Sequence, residues 1–135
     1  MKRETCEKNA LTPEQMNMLF QQDIFKILGE NIRMEIIKFL ALNGPADISS
    51  ISEHFPQDRS VISKHLKMMK EEGLLILTVA SRHHYYQLDG MAFLYKMEAV
   101  VSDIKVILEN TCEDTYSYLY EHHLTYKDYL EDQKD

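Results

Sequence analysis

The 135-residue chain contains no tryptophan, and only four glycines, three prolines and two cysteines. So little glycine and proline leaves no material for long flexible linkers and predicts one globular domain, which 44% hydrophobic content is enough to fill. Cys6 and Cys112 stand near opposite ends of the sequence, too few and too far apart for a disulfide-stapled secreted scaffold. There is no run of about 18 uncharged apolar residues, and the opening MKRETCEKNALTPEQ has no apolar core, so neither a membrane span nor a signal peptide is expected. A cytoplasmic protein follows as the expectation. Also missing are a glycine-rich phosphate loop, a nucleophile elbow and a clustered metal triad, so no enzyme and no cofactor is expected.

Positive charge is scarce overall, with 15 Lys and Arg against 22 Asp and Glu for a net −7. Its distribution matters more than its sum. Residues 1–25 carry −1, residues 26–88 carry +1, and residues 89–135 carry −7. From Arg59 to Arg82 there are five cations against two acids, a local basic surface beside an acidic tail.

That basic stretch contains the most informative pattern in the chain, PQDRSVISKHLKMMKEEG from Pro56 to Gly73. Val61, Ile62, Leu66 and Met69 recur at helical spacing, Asp58 stands at the N-cap, and Gly73 follows the last turn. The other face carries Arg59, Ser60, Ser63, Lys64 and Lys67, hydroxyls and cations suited to base edges and phosphates. We therefore read it as a helix for a DNA major groove. Arg59, Ser60, Ser63 and His65 are assigned to base or near-base contacts, Lys64 and Lys67 to phosphates, and Val61 either to the core or, if it faces outward, to a thymine methyl.

The remaining elements follow from caps and periodicity. Thr12, Pro13 and Gln15 start a first helix expected to run to Gly29, after a loosely docked N-terminus of residues 1–11. Asn31 caps a second helix ending at Asn43-Gly44-Pro45, and Asp47 caps a short third, Ile48 to Phe55, broken from the groove helix by Pro56. Leu74 to Ala80 and His84 to Leu88 read as strands around a turn at Ser81-Arg82-His83, whose tip presents Arg82 and His83 to DNA. A long helix from Met91 to Asn110 has a broad apolar face, and an acidic, tyrosine-rich segment, Glu113 to Leu130, reads as one more helix. The expected fold is thus mainly α with a small β-hairpin, a winged helix-turn-helix in the order α-α-α-α-β-β-α-α. Residues 12–112 form the domain, 113–135 an appended tail, and the first and late long helices the surface of a homodimer.

The run FKILGENIRMEIIKFL from Phe25 to Leu40, the SxxSxHLKxMxxxGLL-like run from Ser60 to Leu75 and RHHYYQL from Arg82 to Leu88 together resemble the ArsR/SmtB family of bacterial winged-helix repressors. The resemblance covers nearly half the chain. It implies a homodimer bound to an inverted-repeat operator on double-stranded DNA and released by a metal ion or another chemical signal. Family members with a thiolate site carry a Cys-Val-Cys-like pair where Asp47 and Ser49 stand here, and those with a site between long helices use a carboxylate and histidines where Asp103 is followed by Lys105. No metal site of either type is therefore expected. His83-His84 on the hairpin is read as DNA contact or strand packing, and the tyrosines of the last segment as packing. The inducer is left as a small molecule or a redox signal acting through Cys6 and Cys112. The alternative function is a winged-helix protein-interaction module whose acidic tail binds a partner.

Overall fold

The computed structural model describes residues 11–110 together with 117, 118, 121, 122, 128 and 131–134. In chain order the elements are α1 (Pro13–Asn17), α2 (Ile24–Leu28), α3 (Asn31–Asn43), β1 (Ala46–Asp47), α4 (Ile48–His54), α5 (Arg59–Glu71), β2 (Leu75–Ala80), β3 (His83–Leu88) and α6 (Gly90–Glu109). Mainly helical with a small antiparallel sheet, this is a winged helix-turn-helix. Cys6, Cys112 and most of the segment expected as a closing helix lie outside the described residues. No helix among the described residues is long and apolar enough to cross a membrane.

The chain divides into two compact units, Gln22–Ala99 and the pair Met1–Gln21 with Val100–Asp135. The first holds the winged helix. Its core is built from Ile24 and Ile27 of α2, Ile36 and Leu40 of α3, Ile51 of α4, Ile62, Leu66 and Met69 of α5, and Leu74 after it, all fully buried. On α5 these fall at i, i+4 and i+7, one face of the helix, and each removes apolar surface worth about 1.5–3 kcal/mol from water. The stops of α3 and α5 use glycine where the backbone turns left-handed: Gly44 at φ 76° donates its N–H to Leu40 O at 2.9 Å, and Gly73 sits at φ 80°.

The expected single helix from Thr12 to Gly29 does not form. Its start is as read: the Thr12 hydroxyl accepts from Gln15 N–H and Gln15 Oε1 accepts from Thr12 N–H, a complete capping box. The helix then stops at Asn17, because Phe20 adopts φ 59° and gives its N–H to Asp103 Oδ2 at 2.8 Å. A residue in the left-handed region cannot continue a right-handed helix.

The hairpin also differs from expectation. Its turn has two residues, with Ser81 at φ 49° and Arg82 at φ 69°, and His83 already pairs with Ala80 as part of β3. Positive φ at both positions is the geometry whose twist matches the flanking strands. A third strand, unforeseen from the sequence, joins on the other side of β3: β1 pairs Ala46 with Tyr86 and Asp47 with Tyr85, giving the order β1-β3-β2. The base of the hairpin is fastened by Asp89, whose N–H reaches Leu74 O and whose Oδ1 accepts from Ala92 N–H, both at 2.9 Å, as α6 begins.

Candidate nucleic-acid interface

Helices α4 and α5 pack on each other across the Phe55–Asp58 connection, and α5 packs on β2. Because Ile62, Leu66 and Met69 are committed inward, the helical period sends Arg59, Ser60, Lys64, Lys67 and Lys70 into solvent. Val61 is 38% exposed, so it lies on this outer face and not in the core. Ser63 is half-buried at its edge.

Arg59 opens α5, and its Nη1 donates to Ser49 Oγ on α4 at 3.2 Å. The two helices and the hairpin enclose a groove of about 320 Å³ bordered by Asp47, Ser49, Arg59, Ser63, Arg82, His83 and His84. Asp47 caps α4 through Oδ1, which accepts from Ser50 N–H at 2.8 Å, while its Oδ2 lies 4.0 Å from His83 Nδ1. Hydrogen bonding from Ser50, backbone first, and then the charges of His83 and Arg59 hold the Asp47 carboxyl below its usual pKa. The consecutive helices α4 and α5 and the later hairpin therefore converge on one polar, cation-bearing surface. Among the described residues, no three His, Cys, Asp or Glu side chains cluster as a metal site.

His65 has a different setting from the rest of its helix. It is half-buried, and its Nδ1 accepts from Arg33 Nε at 3.2 Å. Arg33 in turn donates Nη1–H to Lys26 O at 2.8 Å and lies 3.8 Å from Glu30 through Nη2. This side chain, only 14% exposed, ties α5 to α3 and to the carbonyl of α2. An imidazole that accepts at Nδ1 must be neutral, with its proton on Nε2. Burial first, and the Arg33 charge second, push its pKa down, against a smaller upward pull from Glu30.

The sign of the consequence is fixed. On acidification the unfolded chain takes up the His65 proton before the folded one, so stability present above about pH 6.5 falls as the pH drops into the window beneath it. Urea denaturation at about pH 7.5 and 5.5 is expected to show a larger acid loss in the wild type than in His65→Gln, which keeps an acceptor but does not titrate. Equal losses would remove this histidine from the pH response.

Sequence periodicity located the α5 face, but not Arg33, whose only local signal was Glu30 three residues before it. Nor did it place Ser49 beside Arg59, or Asp47 beside the hairpin.

Residues 30–76, from the turn before α3 into β2, match the model of the arsR family of bacterial regulatory proteins. An uncharacterized HTH-type transcriptional regulator of Methanocaldococcus jannaschii is 34% identical over 53 residues, which are 39% of this chain and 60% of the relative. The arsenical resistance operon repressor of Escherichia coli is 29% identical over 73 residues, 54% of this chain and 62% of the relative. The chain thus spans about three fifths of the curated relatives it matches. Among solved structures, an ArsR-like transcriptional regulator from a Rhodococcus species superposes with a TM-score of 0.57 at 26% identity, covering 64% of this chain and 78% of the other. The matched family is one of regulators rather than enzymes, and residues 30–76 of this chain, the centre of its winged helix-turn-helix, are similar to the arsR family of bacterial regulatory proteins.

Proposed function

We propose that the protein is a sequence-specific DNA-binding transcriptional regulator, a repressor acting as a homodimer on an inverted-repeat operator. One observation carries this: α5 buries its apolar face completely while Arg59, Ser60, Val61, Lys64 and Lys67 stand exposed along the other, next to a hairpin tip bearing Arg82. Arg59, Ser60 and Ser63 read base edges, Val61 meets a thymine methyl, Lys64 and Lys67 hold phosphates, and Arg82 with His83 reaches the backbone from the wing. His65, held by Arg33, is assigned to fixing the helix angle as well as to near-base contact. Repression follows the name of the Escherichia coli relative, and the family match favours this function over a protein-interaction module. Lys64→Ala is expected to weaken binding to all duplexes alike and to reduce the slope of log K against log salt by about one unit, as measured by fluorescence anisotropy. An unchanged slope would take Lys64 off the phosphates.

Dimerisation is proposed through α6 and α1. Met91, Leu94, Met97, Val101 and Ile104 stand exposed at three- and four-residue spacing along α6, and Met16, Met18 and Phe20 are exposed in and just after α1. A stripe of that length left in water is a cost that a symmetric partner removes. Val101→Glu is expected to convert the protein from dimer to monomer by light scattering at micromolar concentration, and a monomeric wild type would contradict the assignment. In the dimer, two α5 helices would enter successive major grooves about 34–36 Å apart. Residues 12–112 would make up this working body, with 113–135 as an acidic appendage, and release would come from a small-molecule or redox signal, Cys6 and Cys112 being the thiols available for the latter.

A further inference from the structure

The groove between α4, α5 and the hairpin carries a chemical requirement beyond its positive charge. Arg59 reaches it from α5, and Arg82 from the turn. The acid bordering it is Asp47, whose Oδ1 is already taken by Ser50 N–H at 2.8 Å. Its Oδ2 faces His83 Nδ1 at 4.0 Å, and the His83 side chain is otherwise 60% exposed. The groups around His83 are Asp47 from β1, Arg59 from α5, Arg82 from the turn, and His84 and Tyr85 on its own strand, the Tyr85 ring 6.1 Å away.

Consider a phosphate oxygen arriving on the open side of that imidazole. His83 then stands between two anions, a carboxylate at Nδ1 and a phosphate toward Nε2. A neutral imidazole has one N–H and one lone pair, so it satisfies one of them and turns a lone pair toward the other. Only the imidazolium has an N–H toward each and a positive charge that both anions attract. Binding the phosphate therefore favours the ring that has taken one proton from solvent, with no other bond made or broken.

We propose that this groove seats a backbone phosphate of the bound DNA and that each protomer takes up one proton on His83 as it does so. The inference rests on the DNA-binding function proposed above. It makes operator affinity rise on mild acidification. His54, exposed in the last turn of α4 and not part of the groove lining, is the control.

The test is the affinity of the full chain for an operator duplex, by fluorescence anisotropy at constant ionic strength, from about pH 6 to pH 8.5. Expected is a fall in log K with rising pH, approaching tenfold per pH unit per protomer, that is flattened in His83→Gln and retained in His54→Gln. Circular dichroism of the variants confirms that the fold is unchanged. A wild-type affinity that depends on salt but not on pH, or a His83→Gln profile as steep as the wild type, overturns the proton uptake and leaves the DNA function standing. No salt-dependent binding at any pH removes both. Inorganic phosphate at about 10 mM, against chloride of equal ionic strength, separates the sources of the anion: no specific effect is expected. Competition seen in the wild type but lost in His83→Gln would give the seat to a free anion and overturn the assignment to DNA.

Discussion

Replacing Leu66 by alanine is expected to lower the unfolding free energy by about 2–5 kcal/mol, a large part of what a domain of this size has to lose. The side chain is wholly inaccessible, halfway along α5 between Ile62 and Met69, which are equally buried. Deleting three of its carbons removes their transfer energy and leaves a cavity on the buried face of α5, the helix that packs on α4 and β2. Its walls cannot close in without moving the helix that carries the reading face. The same variant should therefore bind DNA less tightly near its lowered melting temperature, although Leu66 touches no solvent. Lys67→Ala, one position along on the exposed face, should stay within about 0.5 kcal/mol of the wild type. Urea denaturation of both variants makes the comparison. A loss below about 1 kcal/mol at Leu66 would mean that the core is not organised around α5.

Arg59→Ala is expected to act on recognition and to leave stability nearly untouched. The residue is exposed at the first turn of α5, and its guanidinium is oriented by Ser49 Oγ at 3.2 Å, so little rotamer freedom remains to be lost when a base edge is met. A guanidinium presents paired donors that match the two acceptors of guanine in the major groove. Its removal should cost about 1–3 kcal/mol on the preferred site, roughly 5- to 150-fold in affinity, and much less on random duplex. The preference ratio then falls. Equal losses on both duplexes would show Arg59 to be a phosphate contact, and Lys64 gives the opposite pattern if the division of labour along the helix is correct.

Much of this architecture was visible in the residue pattern. The burial of Ile62, Leu66 and Met69, the caps at Thr12 and Asp47 and the glycine stop at Gly73 all depend on neighbours within a turn or two, and the structure has each where its local chemistry placed it. What escaped depends on distant partners. The break after Asn17 is held by an N–H from Phe20 to Asp103, 83 residues away, and no local signal contradicted a helix through Phe20. Strand β1 is two residues long, too short for any periodicity, and exists because Tyr85 and Tyr86 of the hairpin offer it an edge. His65 looked like part of the reading face because its position on the helix allowed it; the Arg33 guanidinium, 32 residues earlier, claims its ring. The Asp47–His83 approach combines both failures, since it needs the unforeseen strand and a hairpin turn one residue shorter than expected.

The central claim is that α5 and the hairpin read DNA, and the most direct measurement is the affinity of the full chain for the DNA flanking its own gene and for a random duplex, titrated from about 50 to 200 mM salt. The account predicts a log-linear fall with salt on both duplexes, steepened by about 0.9 for each phosphate neutralised, and a preference for the flanking DNA of about a thousandfold or more. Binding that ignores salt, or equal affinity for the two duplexes, would contradict it.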